Sequence, residues 1–249
     1  MEQATSGVVT GVKDIRKSFG SQTVLDGVTL QLNTGQVTCV LGRSGTGKSV
    51  LLKLLIGLER PDSGSVCLAG IDISSGVQPD LNEARKKVGF LFQQGALYDS
   101  MTVEGNVGFP LRRHLMLPPA EVGERVQKLL ARVGMEGHEG KVPSQISGGM
   151  KKRVGLARAL ALDPAVVLFD EPTAGLDPIS AAEIATLISQ LRDEDGKTSL
   201  VVTHDLPTAR KIADRLIALD RGKVIFDGSL DEFEGSDNPF IVQYLKDAA

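Results

Sequence analysis

The residues best equipped for chemistry in this 249-residue chain are Gly42, Arg43, Ser44, Gly45, Thr46, Gly47, Lys48 and Ser49. They match the spacing GxxxxGK[ST] and stand between the apolar run Val37 to Leu41 and the largely apolar run Val50 to Leu55, so the segment reads as strand, glycine loop and helix. Glycines let backbone N–H groups turn inward around phosphate oxygens, where a Cβ would obstruct the approach. The start of the following helix adds the positive end of its dipole, roughly half an elementary charge. Lys48 is then placed for the β- and γ-phosphates, and the Ser49 hydroxyl for Mg²⁺.

A phosphate cradle alone hydrolyses nothing; it needs a metal ligand and a group that activates water. Asp170 and Glu171, directly after the apolar residues Val166 to Phe169, supply both. Asp170 emerges at the strand's carboxyl end and can hold the metal through its water shell. Glu171 is placed as general base, a role whose loss commonly costs on the order of 10²–10⁴ in rate. Gln93 also follows a strand-like run, and its amide can coordinate Mg²⁺ or bond a nucleophilic water. His204 ends Ser199 to Thr203, where an imidazole can reach a γ-phosphate, although a lone strand-end histidine reads first as structural. Ser147-Gly148-Gly149 precedes the helical run Lys151 to Ala161 and forms a second helix start with free N–H groups. Two phosphate-binding ends on different parts of one chain imply two copies meeting head to tail across a twofold axis, each nucleotide between one copy's glycine loop and the other's Ser-Gly-Gly helix.

The elements that must position these groups follow from periodicity. Val24, Val28, Leu30 and Leu32 recur at even spacing and read as an antiparallel strand. Val66 to Leu68 is a short strand, Ala69-Gly70 a hairpin bend, and Val88 to Phe92 a buried strand with Gln93 directly after it. From 98 to 163 the pattern turns helical, with Val122, Val126, Leu129, Leu130 and Val133 on one face of a helix that starts after Pro118-Pro119. Its entrance, Gly95 to Val103, suits a packed loop or a partner's groove. Strand, helix and strand then alternate through Val166 to Phe169, the stripe Ile184, Leu187, Ile188 and Leu191, and Ser199 to Thr203, closing on a hairpin about Arg221-Gly222. The pattern predicts an α/β fold whose largely parallel sheet is covered on both faces and carries its ligand at the carboxyl ends of the strands. We divide the chain into an α/β core with a β-subdomain (8–97 and 164–234), a helical subdomain (98–163) and a tail (235–249). The tail stripe Phe240, Ile241, Tyr244 and Leu245 must pack, on its own domain or on a second copy.

Composition narrows the class. With 41% hydrophobic residues the chain can bury a sizeable core, and a net charge of −3 leaves no whole-chain footprint for nucleic acid. The basic run Arg85-Lys86-Lys87 reads as a solvated helix face. Cys39 and Cys67 fall in strand-like segments and read as buried thiols in a reducing cytoplasm. Met1 to Gly7 shows no secretory signal, and no apolar run is long enough to cross a bilayer.

In order along the chain, Phe19, Gly42 to Ser49, Gln93, Ser147 to Gly149, Val166 to Glu171, Ala174 to Asp177 and His204 resemble the A-loop, Walker A, Q-loop, signature, Walker B, D-loop and H-switch of an ABC transporter ATPase subunit. The resemblance implies a P-loop NTPase with a RecA-like core that binds ATP and Mg²⁺ and works as a homodimer. Phe19 would stack on adenine, Gln93 sense the metal, Ser147, Gly148 and Gly149 grip the γ-phosphate of the other subunit, Asp177 lie along the dimer seam, and His204 act as linchpin. The family usually carries Gln where Met150 stands, so that polar contact is lost. The runs Ser147 to Ala159 and Phe92 to Tyr98 are similar to the ATPases of MCE-associated (Mla-type) phospholipid transporters. That implies a multi-spanning permease of the MlaE type, whose coupling helix Gly95 to Met101 would accept. It also implies an MCE-domain lipid-binding protein, a small STAS-domain protein of the MlaB type, and a place on the cytoplasmic face of the inner membrane. The alternatives are an ABC ATPase for another solute and a soluble assembly factor of the iron–sulfur cluster type. A DNA-repair ABC ATPase would need a large insertion for which this length leaves no room.

Overall fold

The computed structural model describes residues 10–247. The stretch Met1 to Gly7 and the outer limits 8 and 249 of the expected divisions lie outside the described residues. The described chain opens with β1 (Gly11–Phe19) and β2 (Gln22–Gln31), after which β3 (Val37–Leu41) leads into α1 (Lys48–Leu55). β4 (Ser63–Leu68), β5 (Ile71–Asp72), α2 (Gln78–Lys86) and β6 (Val88–Leu91) follow. A helical stretch comprises α3 (Val103–His114), α4 (Pro119–Arg132), a 3-10 turn (Pro143–Gln145) and α5 (Gly148–Ala159). The chain then runs through β7 (Val166–Asp170), α6 (Pro178–Asp193), β8 (Thr198–Thr203), α7 (Leu206–Ile212), β9 (Arg215–Asp220) and β10 (Lys223–Gly228) to α8 (Leu230–Glu234) and α9 (Pro239–Asp247).

Two sheets result. β2-β1-β4-β5 is antiparallel. The other sheet runs β10-β9-β3-β8-β7-β6 and is parallel throughout except for its edge strand β10. Strand alternation divides the core of this sheet between its two faces. Val37, Cys39 and Leu41 of β3, Val167 and Phe169 of β7 and Val201 of β8 pack with the apolar sides of α3, α4, α5, α6 and α9. Val40, Leu168, Leu200 and Val202 point the other way, into a core shared with α1 and the antiparallel sheet. The sheet is covered on both sides, as the alternating pattern requires.

The glycine loop is anchored at both ends. Each residue of β3 is buried, and α1 buries Leu51, Leu52, Leu54 and Leu55. Each such leucine contributes roughly 1.5–3 kcal/mol relative to exposure. In register, Leu41 of β3 lies opposite Thr203 of β8, and Asp170 of β7 opposite Val202, so three strands end level at one edge of the sheet.

Three local expectations need correction, and one of two alternatives is taken up. Gly27, at φ 75°, and irregular pairing near it break the even spacing in β2, so Leu25 turns inward in place of Val24, while Val28, Leu30 and Leu32 are buried as the spacing predicts. β6 ends at Leu91, and Gln93 lies in a turn after Phe92. Arg85 is not simply solvated, because its guanidinium donates to the carbonyls of Ile56 (2.9 Å) and Gly57 (3.0 Å). The helix carrying it, α2, buries only Leu81 and Ala84, too few for a periodic signal. Of the two readings offered for the entrance at Gly95, the stretch up to Thr102 is a packed loop held by the buried Asn106, whose amide donates to Tyr98 O, Met101 O and Thr102 O and accepts from Tyr98 N. Among the described residues, no helix is long and apolar enough to cross a membrane.

Candidate active site

Gly45 and Gly47 adopt φ of 81° and 103°, which glycine reaches at no steric cost. A Cβ on Gly42 would come within 2.6 Å of Leu219 O and of Thr46 Oγ1, and one on Gly47 within 2.7 Å of Leu25 Cδ2. The turn is therefore built for bare backbone. Gly47 caps α1 with no side-chain bond, so the first N–H groups of the helix face the loop. Lys48 is only 6% exposed, and its Nζ donates to Gly42 O (2.7 Å) and Arg43 O (3.1 Å) and stands 3.8 Å from Glu171 Oε1. Burial pulls the Lys48 ammonium below the ordinary lysine range, while the charges of Glu171 and Asp170 oppose that shift.

Across the level strand ends, Ser49 Oγ donates to Asp170 Oδ1 at 3.0 Å. Burial raises the Asp170 carboxyl above the usual carboxylate range, and Ser49 partly offsets it. Glu171 continues past β7, its N–H donating to Val202 O at 2.9 Å and its φ at 48°. Its carboxylate, 8% exposed as a residue, accepts from Thr203 Oγ1 (3.2 Å) and His204 N (3.4 Å), with His204 Nδ1 at 2.9 Å from the same oxygen. Ser44, Gly45, Gly47, Lys48, Ser49, Gln93, Glu171 and His204 line one cavity of about 460 Å³. The sequence-predicted loop, base, glutamine and histidine meet there.

Other predicted residues lie elsewhere. Phe19, 46% exposed, closes β1 beneath Lys17 Nζ and does not line the cavity; Val24 of the paired strand does. Ser147 caps α5 by accepting from Met150 N (3.2 Å), and Gly148 lines a separate cavity of about 420 Å³. Gly149 is buried against Ser180. Asp177 caps α6, accepting from Ile179 N (3.1 Å) and Ser180 N (3.0 Å). Arg43 turns to the tail, pairing with Asp247 at 2.7 Å under the Phe240 ring.

Residues 25–174 match the family described as ABC transporter. The chain belongs to that family. It is 44% identical over 239 residues to the probable ribonucleotide transport ATP-binding protein mkl of Mycobacterium leprae, covering 96% of this chain and 69% of the relative. It is 41% identical over 255 residues to the chloroplastic protein TRIGALACTOSYLDIACYLGLYCEROL 3 of Arabidopsis thaliana, covering 96% and 74%. Among solved structures, the dimeric post-hydrolysis state of the ATP-binding cassette MJ0796 with ADP and Pi superposes with a TM-score of 0.82 at 34% identity, covering 89% of this chain and 98% of that one.

As an ABC transporter ATP-binding subunit, the chain is an ATPase that uses ATP and Mg²⁺. The donor set fits magnesium: a hydroxyl and a carboxylate oxygen meet at the foot of a phosphate cradle, both hard ligands. Ser49 and Asp170 would hold the ion, which when bound offsets charge on the β- and γ-phosphates.

Two contributors escaped the sequence. Thr203 orients Glu171, and Tyr244 of α9 donates its hydroxyl to His204 O at 2.6 Å. The tail stripe had marked Tyr244 as packed, but periodicity says nothing of a partner 40 residues away. Ile241 and Tyr244 are buried in the chain's own core, the first of the two placements the stripe allowed.

Proposed function

We propose that two copies of this chain clasp ATP head to tail, each nucleotide held by the glycine loop of one copy and the Ser147-Gly148-Gly149 helix start of the other. One observation carries this reading. The two helix starts open on different cavities of the same chain, the arrangement expected if each site is completed by a second copy. In this arrangement Lys48 and the loop N–H groups bind the β- and γ-phosphates, and Glu171 takes the proton of the attacking water. His204, seated against Glu171, reaches the γ-phosphate, and Gln93 reports its state to a membrane permease. Phe19 offers an aromatic face to adenine from the hairpin next to Val24, and Asp177 borders the seam.

The cargo we propose is phospholipid, moved with an MlaE-type permease, an MCE-domain protein and a STAS-domain protein at the cytoplasmic face of the inner membrane. Two features support it: the similarity of Ser147 to Ala159 and Phe92 to Tyr98 to Mla-type ATPases, and a relative whose name is that of a glycolipid. The mkl relative, named for ribonucleotide transport, favours a nucleotide cargo as the second reading. Native mass spectrometry of the complex extracted in mild detergent decides between them. A co-purifying permease with bound phospholipid supports the first reading; a permease with bound ribonucleotide overturns it.

A further inference from the structure

The basic run Lys151-Lys152-Arg153 contains one residue that the reaction outlined above does not use. Lys152 is 5% exposed, and its Nζ donates to Glu171 O (3.0 Å) and Ala174 O (2.7 Å). A buried ammonium whose hydrogen bonds go to neutral carbonyls is costly, and an apolar side chain of the same length would fill the space more cheaply. What the ammonium adds is a clamp. Glu171 stands in the left-handed region at φ 48° and its carbonyl also accepts from Ala174 N (3.2 Å), so Lys152 bridges both ends of a tight turn that starts on a strained residue. The carboxylate that Thr203 and His204 orient projects from that turn.

We infer that Lys152 is a positioning residue for hydrolysis, fixing the Glu171 peptide to the helix that begins at Gly148. Its side chain leaves α5 four residues after the helix start and ends on the backbone of the base. Resting on the head-to-tail reading, this has a consequence for coupling: the Ser147-Gly148-Gly149 end of α5 engages one ATP, while Glu171 serves the other. A shift of α5 on binding the first nucleotide would be transmitted through one ammonium to the base at the second.

The test compares Lys152→Met, Lys152→Gln and the parent, each also in a Glu171→Gln background. Steady-state ATP hydrolysis, single-turnover phosphate release and thermal unfolding are measured on the full chain. Misplacing a catalytic group by about 1 Å can cost 10²-fold. Lys152→Met should therefore lower kcat by roughly 10- to 10²-fold with KM for ATP within about twofold. Lys152→Gln, which keeps two N–H donors, should recover part of the loss, and does so as an internal control if the Met variant melts early. In the Glu171→Gln background Lys152→Met should slow single turnover no further, because its effect passes through the absent base. Unchanged kcat in Lys152→Met, or the same fold loss with and without Glu171, overturns the inference. Should Glu171→Gln fail to dimerise on Mg-ATP while the kcat effect of Lys152 persists, the cross-site link falls and the positioning role stands.

Discussion

Gly148→Ala adds one methyl group at a place where the chain itself has nothing to say against it. A Cβ built at Gly148 meets no heavy atom within 4 Å, and the residue lies outside the left-handed region. At the next position the same methyl would press on Ser180 Oγ at 3.1 Å and Ser180 Cβ at 3.2 Å. The fold should therefore accept alanine at 148 and gain about 0.4–1 kcal/mol by restricting the unfolded chain. Nucleotide binding at the glycine loop should be untouched, because Gly148 lines the other cavity. In the proposed clasped dimer, however, the methyl would stand between the first N–H groups of α5 and the second copy's γ-phosphate. Losing a preorganised donor to a reacting oxygen costs on the order of 10²–10³ in kcat, and turnover should fall by that much. Thermal unfolding, fluorescent-nucleotide binding and steady-state hydrolysis are measured on one preparation. Parental turnover in a variant that melts no lower than the parent would refute the reasoning, since the exposed helix start would then have no phosphate to meet.

Three further outcomes follow, two from the tail and one from Lys152. Tyr244→Phe leaves His204 O without its donor, which should cost about 1–3 kcal/mol, and truncation before Ser236 should cost more by exposing the surface that Ile241 and Tyr244 cover. Melting temperatures check both, and a truncated chain as stable as the parent would contradict the packing of α9. Burial draws the Lys152 ammonium from the ordinary 10.5 down to about 8, against the attraction of Glu171. Between those values the unfolded chain binds the extra proton, so this group makes the fold more stable as pH rises, by at most roughly 1.4 kcal/mol per pH unit. The parent should gain on Lys152→Met from pH 8 upward in denaturant titrations, and parallel pH profiles would contradict the burial of the charge.

The parts legible in the sequence were those set by local pattern. The apolar runs at Val37 and Val166 gave level strand ends, and the GxxxxGK[ST] loop and the Asp170-Glu171 pair met there because both follow buried parallel strands. Ser147 announced a helix start because a hydroxyl followed by two glycines suits an N-cap. What stayed hidden was tertiary. Lys152 sits in a basic run to which the sequence assigns no contact, and only the packing of α5 against the turn after β7 makes it a buried clamp. Gly27 broke the period of β2 through a bulge, Asn106 held its loop through bonds to four backbone groups, and α2 buried too little to show a stripe. Phe19 was placed by resemblance, and its exposed ring at the end of β1 awaits a nucleotide titration of Phe19→Ala.

In the proposed cycle ATP is shared by two chains and hydrolysed with Glu171 as the base. Light scattering of Glu171→Gln with and without Mg-ATP tests it most directly. The variant should run as one chain without nucleotide and as a stable pair with it, because binding remains while hydrolysis, which would reopen the pair, is lost. A variant that binds Mg-ATP yet keeps the mass of a single chain contradicts the shared site.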